Sequence, residues 1–301
     1  MSLIFSRCSH DSLTAMGLRR FEYTQVHMGG AARIVLFCGD RRLAESAARA
    51  AFGRIAEIEQ VCSDYRRDSE VVRLCDRAGE GWIAISRDLY RVLEVGQRIA
   101  QASNGAFDIT LGPLVALWRR MRQTGQMATE ADLAAAKSLK GWQKLRLRPG
   151  FAMLETPGMR IDLGGIAKGF ACDEALMALR RHGFDRAMIE MGGDLRFGCA
   201  PPFEPGWKVR AGSGRSLRMD SCGLSTSGDS EQFVEIGGQR FAHILDPRTG
   251  LGLSRPVQAT VEALSGLFSD PIATAVCVLG KSRGASLARR FSAKMIEFRG
   301  G

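Results

Sequence analysis

The sequence predicts an α+β fold of mixed sheets with inserted helices, built as one large domain or two intimately packed lobes. Three observations carry this. The chain has 301 residues, 45% apolar and 25% charged, enough to bury a substantial core. Strand-like runs and helical periodicities follow one another irregularly, unlike the strict βαβ alternation of a doubly wound sheet. Its 35 glycines suit turns and ligand loops more than a helical bundle.

Tyr23 to Met28 and Arg33 to Phe37 read as strands separated by Gly29-Gly30. Ala44, Ala48, Ala51, Phe52, Ile55 and Ile58 recur at helical spacing. Leu89, Val92, Gly96 and Ile99 mark a second helix with Ser86 as its cap, and Thr129 with Asp132 opens a shorter one ending before Gly141. Met159 to Leu163 reads as a strand feeding Gly164-Gly165, followed by a helix from Ile166 to Arg181. Ala187 to Met191 is a buried strand stopped by Gly192-Gly193-Asp194, and Cys199 to Gly206 is a proline-rich loop. Phe233 to Ile236 and Arg240 to Leu245 flank Gly237-Gly238, a hairpin signal. Val257 to Ala263 is a strand; Asp270 is expected to cap a helix that begins at Pro271 and closes at Gly280.

The formal charge is +10. Its basic residues are scattered in pairs and short runs, without the interleaved aromatics of a base-stacking surface, so no nucleic-acid partner is expected. The eight cysteines include no CxxC pair. They read as buried thiols and favour a reducing compartment. Residues 1–20 read as a tail before a domain at 21–301; they hold no apolar core of signal-peptide length, and Arg7 before Cys8 is wrong for a lipoprotein site. No apolar run reaches the roughly 18 residues of a membrane span. The chain as it stands is expected to be cytoplasmic, or periplasmic if an export signal has been removed.

Three places join glycine-rich turns to carboxylates or hydroxyls. In Ile161 to Gly169, glycines precede Lys168 in the first helical turn, where free amides and an ammonium suit an anion. Neither a Walker loop nor GxGxxG is present, so an ordinary strand-to-helix turn remains an alternative. Ser225 to Asp229 is a hydroxyl run beside a carboxylate, suited to phosphate or metal or to a plain surface turn. Asp270 and Thr274 lie four apart on one helix face, as hard oxygen donors for magnesium or as local backbone partners. His243 precedes the sharp turn Asp246-Pro247-Arg248-Thr249-Gly250, which Asp246 and Thr249 can cap; a zinc site would need more nitrogen or sulfur ligands.

In order, the chain carries Met28-Gly29, Ser63 to Glu70, Gly105-Ala106-Phe107-Asp108, Gly112-Pro113-Leu114 with Trp118, and Asp162 to Gly169 with Asp173. Gly192-Gly193-Asp194, Thr226 to Asp229, His243 to Gly250 and Asp270 to Thr274 follow. This series resembles the ApbE family of FAD:protein FMN transferases over roughly residues 21 to 298. The resemblance implies a T-fold-related ApbE-like fold and a magnesium-dependent enzyme that cleaves FAD. FMN would pass to a threonine or serine of an acceptor flavoprotein carrying a flavinylation motif, with release of AMP.

The same resemblance implies that Met28, Tyr65, Ala106, Phe107, Asp108, Asp162, Lys168 and Ile244 hold FAD. It places Mg2+ on Asp270 and Thr274, with backbone oxygens of Gly165 and Ala273. His243 matches a histidine of the transfer chemistry, and either it or Asp162 serves as base. Cys75 and Glu190 stand where many relatives have asparagine, and Pro271 replaces a common alanine. A magnesium-dependent FAD pyrophosphatase and a non-catalytic flavin-binding protein are the rival readings.

Overall fold

Strands β1 (Arg19–His27) and β2 (Gly30–Cys38) pair in register through a two-residue turn in which Met28 and Gly29 both take positive φ, 50° and 77°. Such turns match strand twist but favour glycine or asparagine at both central positions. Met28 is therefore held in a costly conformation, of a kind that clusters at ligand clamps. The computed structural model of the chain describes residues 17–300 except 213, 229–232 and 237. Cys8 and most of the N-terminal tail, Asp229 and Gly237 fall outside the described residues.

Helix α1 (Arg41–Cys62) is capped by Asp40, whose Oδ1 accepts from the Arg42 and Leu43 amides at 2.6 and 3.3 Å. It buries the six apolar residues that predict it. After α2 (Glu70–Asp76) and β3 (Ile83–Ala84), α3 (Arg87–Ala102) starts on the Ser86 cap. Then come α4 (Gly112–Thr124) and α5 (Glu130–Ser138), the latter opened by the Thr129–Asp132 capping box. Strands β4 (Leu145–Arg148) and β5 (Phe151–Leu154) join β3 in a small sheet, before α6 (Ala167–Arg181). The rest comprises β6 (Ala187–Met191), β7 (Asp194–Phe197), β8 (Trp207–Arg210), β9 (Ser216–Met219), β10 (Gly223–Gly228), β11 (Phe233–Ile236), β12 (Gln239–Ala242), β13 (Val257–Ala263), α7 (Gly266–Leu279), α8 (Lys281–Arg290) and β14 (Lys294–Gly300).

Among the described residues, a seven-stranded sheet runs β1-β2-β6-β7-β10-β13-β14, with antiparallel neighbours throughout. The α+β class stands; the mixing is of helices with strands, while strand pairing is antiparallel. Along β2, Ile34 and Leu36 enter the main core with α1, α6 and α7, while Val35 and Phe37 enter a second cluster with Trp207. Both faces of this sheet are thus covered, which explains why its central strands read as continuous apolar runs. A third cluster joins Leu114 and Trp118 of α4 to Phe241 of β12.

Three expectations change. Met159 to Leu163 forms no ladder strand. Its backbone is instead held singly, with Asp162 N donating to Ile109 O at 2.8 Å and Arg160 O accepting from Gly112 N at 3.2 Å. The chain after β12 leaves the hairpin at His243, because Ala242 N donates to Leu253 O and Leu245 bridges Gly252. Asp270 is no cap. Helix α7 starts at Gly266, so Pro271 lies inside it, and the capping carboxylate comes from distant Asp173 on α6, accepting from Gly266 N at 2.9 Å and Leu267 N at 2.8 Å. A proline beyond the first turn removes one helical hydrogen bond, and this external cap offsets that loss.

Asp173 also pairs with Arg196 Nε at 2.9 Å, both side chains nearly out of solvent. Asp173→Ala therefore strands a buried guanidinium and two helix-end amides. The expected loss is about 3 kcal/mol in denaturant unfolding, with Asp173→Asn costing less because its amide oxygen still accepts.

Candidate active site

Strand register decides what meets at one end of the large sheet. Ala32 pairs with Met191 and Asp194 with Ser225. The Met28-Gly29 turn, the Gly192-Gly193 turn and the Ser225 to Gly228 end of β10 therefore lie together. Helix α6 brings its N-terminus to the same end, where Lys168 Nζ meets Asp194 Oδ2 at 2.5 Å and its stem passes Gly192. A Cβ on Gly192 would sit 3.8 Å from Lys168 Cδ, and both turn glycines have positive φ.

Asp162 opens the glycine turn. Its Oδ1 accepts from Gly164 N at 2.8 Å and its Oδ2 from Arg119 Nη2 at 3.4 Å. Burial first, and the Asp64 charge second, push this carboxyl above the usual range against the pull of Gly164 and Arg119. For Lys168, burial disfavours the charged form, but the charges of Asp194 and Asp270 outweigh it and raise its pKa. The ammonium is thus fully protonated and ready to meet an anion.

Asp270 is buried, and its Oδ2 accepts from Gly169 N at 3.1 Å. Burial first, and the Asp194 charge second, push its carboxyl up to about 7, against Lys168 and the Gly169 amide. One turn on, Thr274 Oγ1 is 3.1 Å from Ser227 Oγ. A Cβ on Gly165 would lie 3.3 Å from Thr274 Oγ1 and 3.3 Å from the Phe107 ring. Gly165, Thr274 and Ser227 are therefore one neighbourhood, and a side chain at Gly165 would fill it. These donors fit magnesium: a buried carboxylate lacking a full counter-charge, hydroxyls and peptide oxygens are all hard ligands. Among the described residues no group of three or more His, Cys, Asp or Glu side chains could hold a metal. A cation here would have Asp270 as its single carboxylate and would rely for the rest on the Thr274 hydroxyl and the Gly165 and Ala273 peptide oxygens.

On the other side, Tyr65 is 76% exposed, with the Arg119 guanidinium 4.1 Å above its ring. Phe107 is buried, Ala106 is half-buried against the core, and Asp108 is turned inward. The Asp108 carboxylate accepts from Thr110 N and Oγ1 at 2.8 and 2.7 Å, so its side chain builds the loop that carries Phe107. Ile244 is buried and His243 exposed beside it. The turn beyond is capped as its sequence predicts, with Asp246 accepting from Arg248 N at 2.9 Å and Thr249 Oγ1 donating to Asp246 O at 3.4 Å. Gly250 and Gly252 seat this turn on Leu114 and Trp118 of α4, the helix that carries Arg119. Cys75 Sγ accepts from Ile161 N at 3.2 Å, and Glu190 pairs with Arg33 across the sheet.

Fold and site together define an α+β protein in which a charged Lys168–Asp194–Asp270 cluster and a group of hydroxyls gather at one end of the large sheet, with an exposed Tyr65 ring held by Arg119 across the glycine turn. The match to the ApbE family spans residues 28–297, and the chain belongs to that family. It is 29% identical to an FAD:protein FMN transferase of Klebsiella pneumoniae (strain 342), covering 90% of this chain and 86% of that one. It is 30% identical to an FAD:protein FMN transferase of Treponema pallidum (strain Nichols), over 91% and 83%. The Pseudomonas stutzeri flavinyl transferase ApbE in its apo form superposes with a TM-score of 0.81 at 26% identity, covering 94% of each chain. The flavin transferase ApbE from Vibrio cholerae superposes at 0.78 with 25% identity, covering 94% of this chain and 97% of that one.

Sequence reasoning missed Arg119 and Asp64 as site residues, and gave Asp173 and Asp194 no role; Ser227 lay within the hydroxyl run that it did single out. A lone arginine on an amphipathic helix carries no signal; only tertiary packing brings it to Tyr65. The closest constraint at the site is Gly169. A Cβ there would lie 2.1 Å from Gly266 O and 2.8 Å from Asp270 Cβ. Gly169→Ala should force α6 and α7 apart, cost about 3 kcal/mol of stability and weaken Mg2+ binding in calorimetric titration.

Proposed function

We propose that this chain is an FMN transferase that cleaves FAD and attaches FMN by a phosphoester bond to a serine or threonine of an acceptor flavoprotein. The observation that carries this reading is the joining, in one continuous contact network, of an exposed aromatic platform to a buried cation-and-anion cluster. Tyr65 and Arg119 lead through Asp162 and the glycine turn to Thr274 and Ser227; Lys168 and Asp270 lie one helical turn further. A storage protein has no need of the second half.

The isoalloxazine stacks on the open face of Tyr65. Lys168 and the amides at the start of α6 take the pyrophosphate, with Lys168 moving from Asp194 to the phosphate oxygens. Mg2+, when bound to Asp270, Thr274 and the Gly165 and Ala273 oxygens, supplies positive charge for the phosphate oxygens as the bond breaks. The acceptor hydroxyl forms the new bond to the FMN phosphorus; the bridging P–O bond breaks, and AMP leaves with the bridging oxygen. His243 accepts the hydroxyl proton. It is exposed where a docked protein can reach it, whereas Asp162 is hemmed by Gly164 and Arg119.

No helix among the described residues is long and apolar enough to cross a membrane. The seven described cysteines are free thiols, six of them buried, which supports the reducing, cytoplasmic reading. Two outcomes follow for the chemistry. Asp270→Asn keeps an acceptor for the Gly169 amide but loses the charge, so AMP release should fall at least about a hundredfold while the melting temperature holds or rises. Full activity of that variant in chelator removes the metal assignment. Tyr65→Asn should weaken FAD binding by about 1–3 kcal/mol, the worth of an aromatic stack, and raise the share of free FMN among products. Unchanged affinity by flavin fluorescence would take the platform away from Tyr65.

A further inference from the structure

Arg119 makes three contacts at once. Its Nη1 donates to Asp64 Oδ2 at 2.6 Å, its Nη2 to Asp162 Oδ2 at 3.4 Å, and its guanidinium carbon stands 4.1 Å from the centre of the Tyr65 ring. Asp64 and Tyr65 are consecutive in the loop between α1 and α2, so the arginine grips that loop at two adjacent residues. The base of the grip is firm. Arg119 follows Trp118, which is buried edge-on against Phe241 with ring centres 5.5 Å apart.

We propose that Arg119 is a positioning residue that pins Tyr65 over the flavin and thereby keeps water from the FMN phosphorus until an acceptor docks. This rests on the transferase reading above. One ring face is occupied by the guanidinium, which leaves the solvent face for the isoalloxazine and fixes its height above the glycine turn. The third contact ties the platform to Asp162, so the flavin and phosphate ends are set by one rigid fork. Arginine suits this and lysine does not, because only the planar fork can bridge two carboxylates while lying flat on a ring.

The test uses the whole chain with FAD and Mg2+ and no acceptor, so the only nucleophile is water. Water bonds to the FMN phosphorus, the bridging P–O bond breaks, and AMP leaves with the bridging oxygen. Arg119→Gln should raise the dissociation constant for FAD about tenfold, the scale of a lost partly buried cation–π contact. At saturating FAD it should also speed AMP release, with the melting temperature unchanged. Arg119→Lys should recover part of the affinity while the faster hydrolysis persists. Asp64→Asn, which loosens the same grip from the loop side, should shift both quantities the same way. In a Tyr65→Ala background, Arg119→Gln should add little to either change.

Affinity and saturated hydrolysis falling together, or both holding at wild-type values, would overturn the assignment, since a general structural role slows turnover and no role leaves it alone. A wild type that already hydrolyses FAD rapidly would contradict the transferase reading instead. The pinning role would then be decided by FAD affinity alone.

Discussion

The site depends on one close approach of backbone to backbone. Helices α6 and α7 cross where Gly169 faces Gly266, and neither residue has room for a Cβ. That contact sets the Gly169 amide on the Asp270 carboxylate and lets Asp173 cap the incoming helix. Move the helices apart by a methyl group and Lys168, on α6, no longer stands within reach of the Asp270 charge on α7. The rest of the fold frames this crossing. The antiparallel sheet lies under both helices, and its register brings Asp194 and Ser227 to their ends.

The electrostatics follow from burial at that crossing. Lys168, Asp194 and Asp270 are one cation and two anions sharing a poorly solvated space, and their charges do not cancel. The lysine keeps its proton, and Asp270 is the group driven towards neutrality. Such an arrangement is poised for ligands of both signs, since a divalent cation relieves Asp270 and a phosphate relieves Lys168. Perturbed groups clustered in this way are what a site of phosphoryl chemistry needs. Across the glycine turn, Arg119 plays the same part for Asp64 and Asp162.

Much of this was legible in the sequence, for local reasons. Ser86 and the Thr129–Asp132 box cap their helices as their spacing dictates, and the Asp246 turn is closed by its own side chains. The glycine turn, Lys168 and the Asp270–Thr274 face were all visible as patterns. What was not legible came from residues far apart in the chain. Asp270 looked like a cap because aspartate before proline commonly is one; its true cap, Asp173, lies almost a hundred residues earlier. Met159 to Leu163 looked like a strand because it is apolar, yet its partners are single bonds to Ile109 and Gly112. Arg119 gave no signal at all, because its importance arises only when α4 packs beside the Tyr65 loop.

The central claim is that the nucleophile at the FMN phosphorus is a protein hydroxyl. It is tested most directly by incubating the chain with FAD, Mg2+ and a flavoprotein bearing the Ser/Thr flavinylation motif, then weighing the intact acceptor. The account predicts a mass gain of one FMN less one water, matched by one AMP released, and no gain when the acceptor serine or threonine is alanine. An acceptor of unchanged mass, with FAD converted to free FMN and AMP, would contradict it.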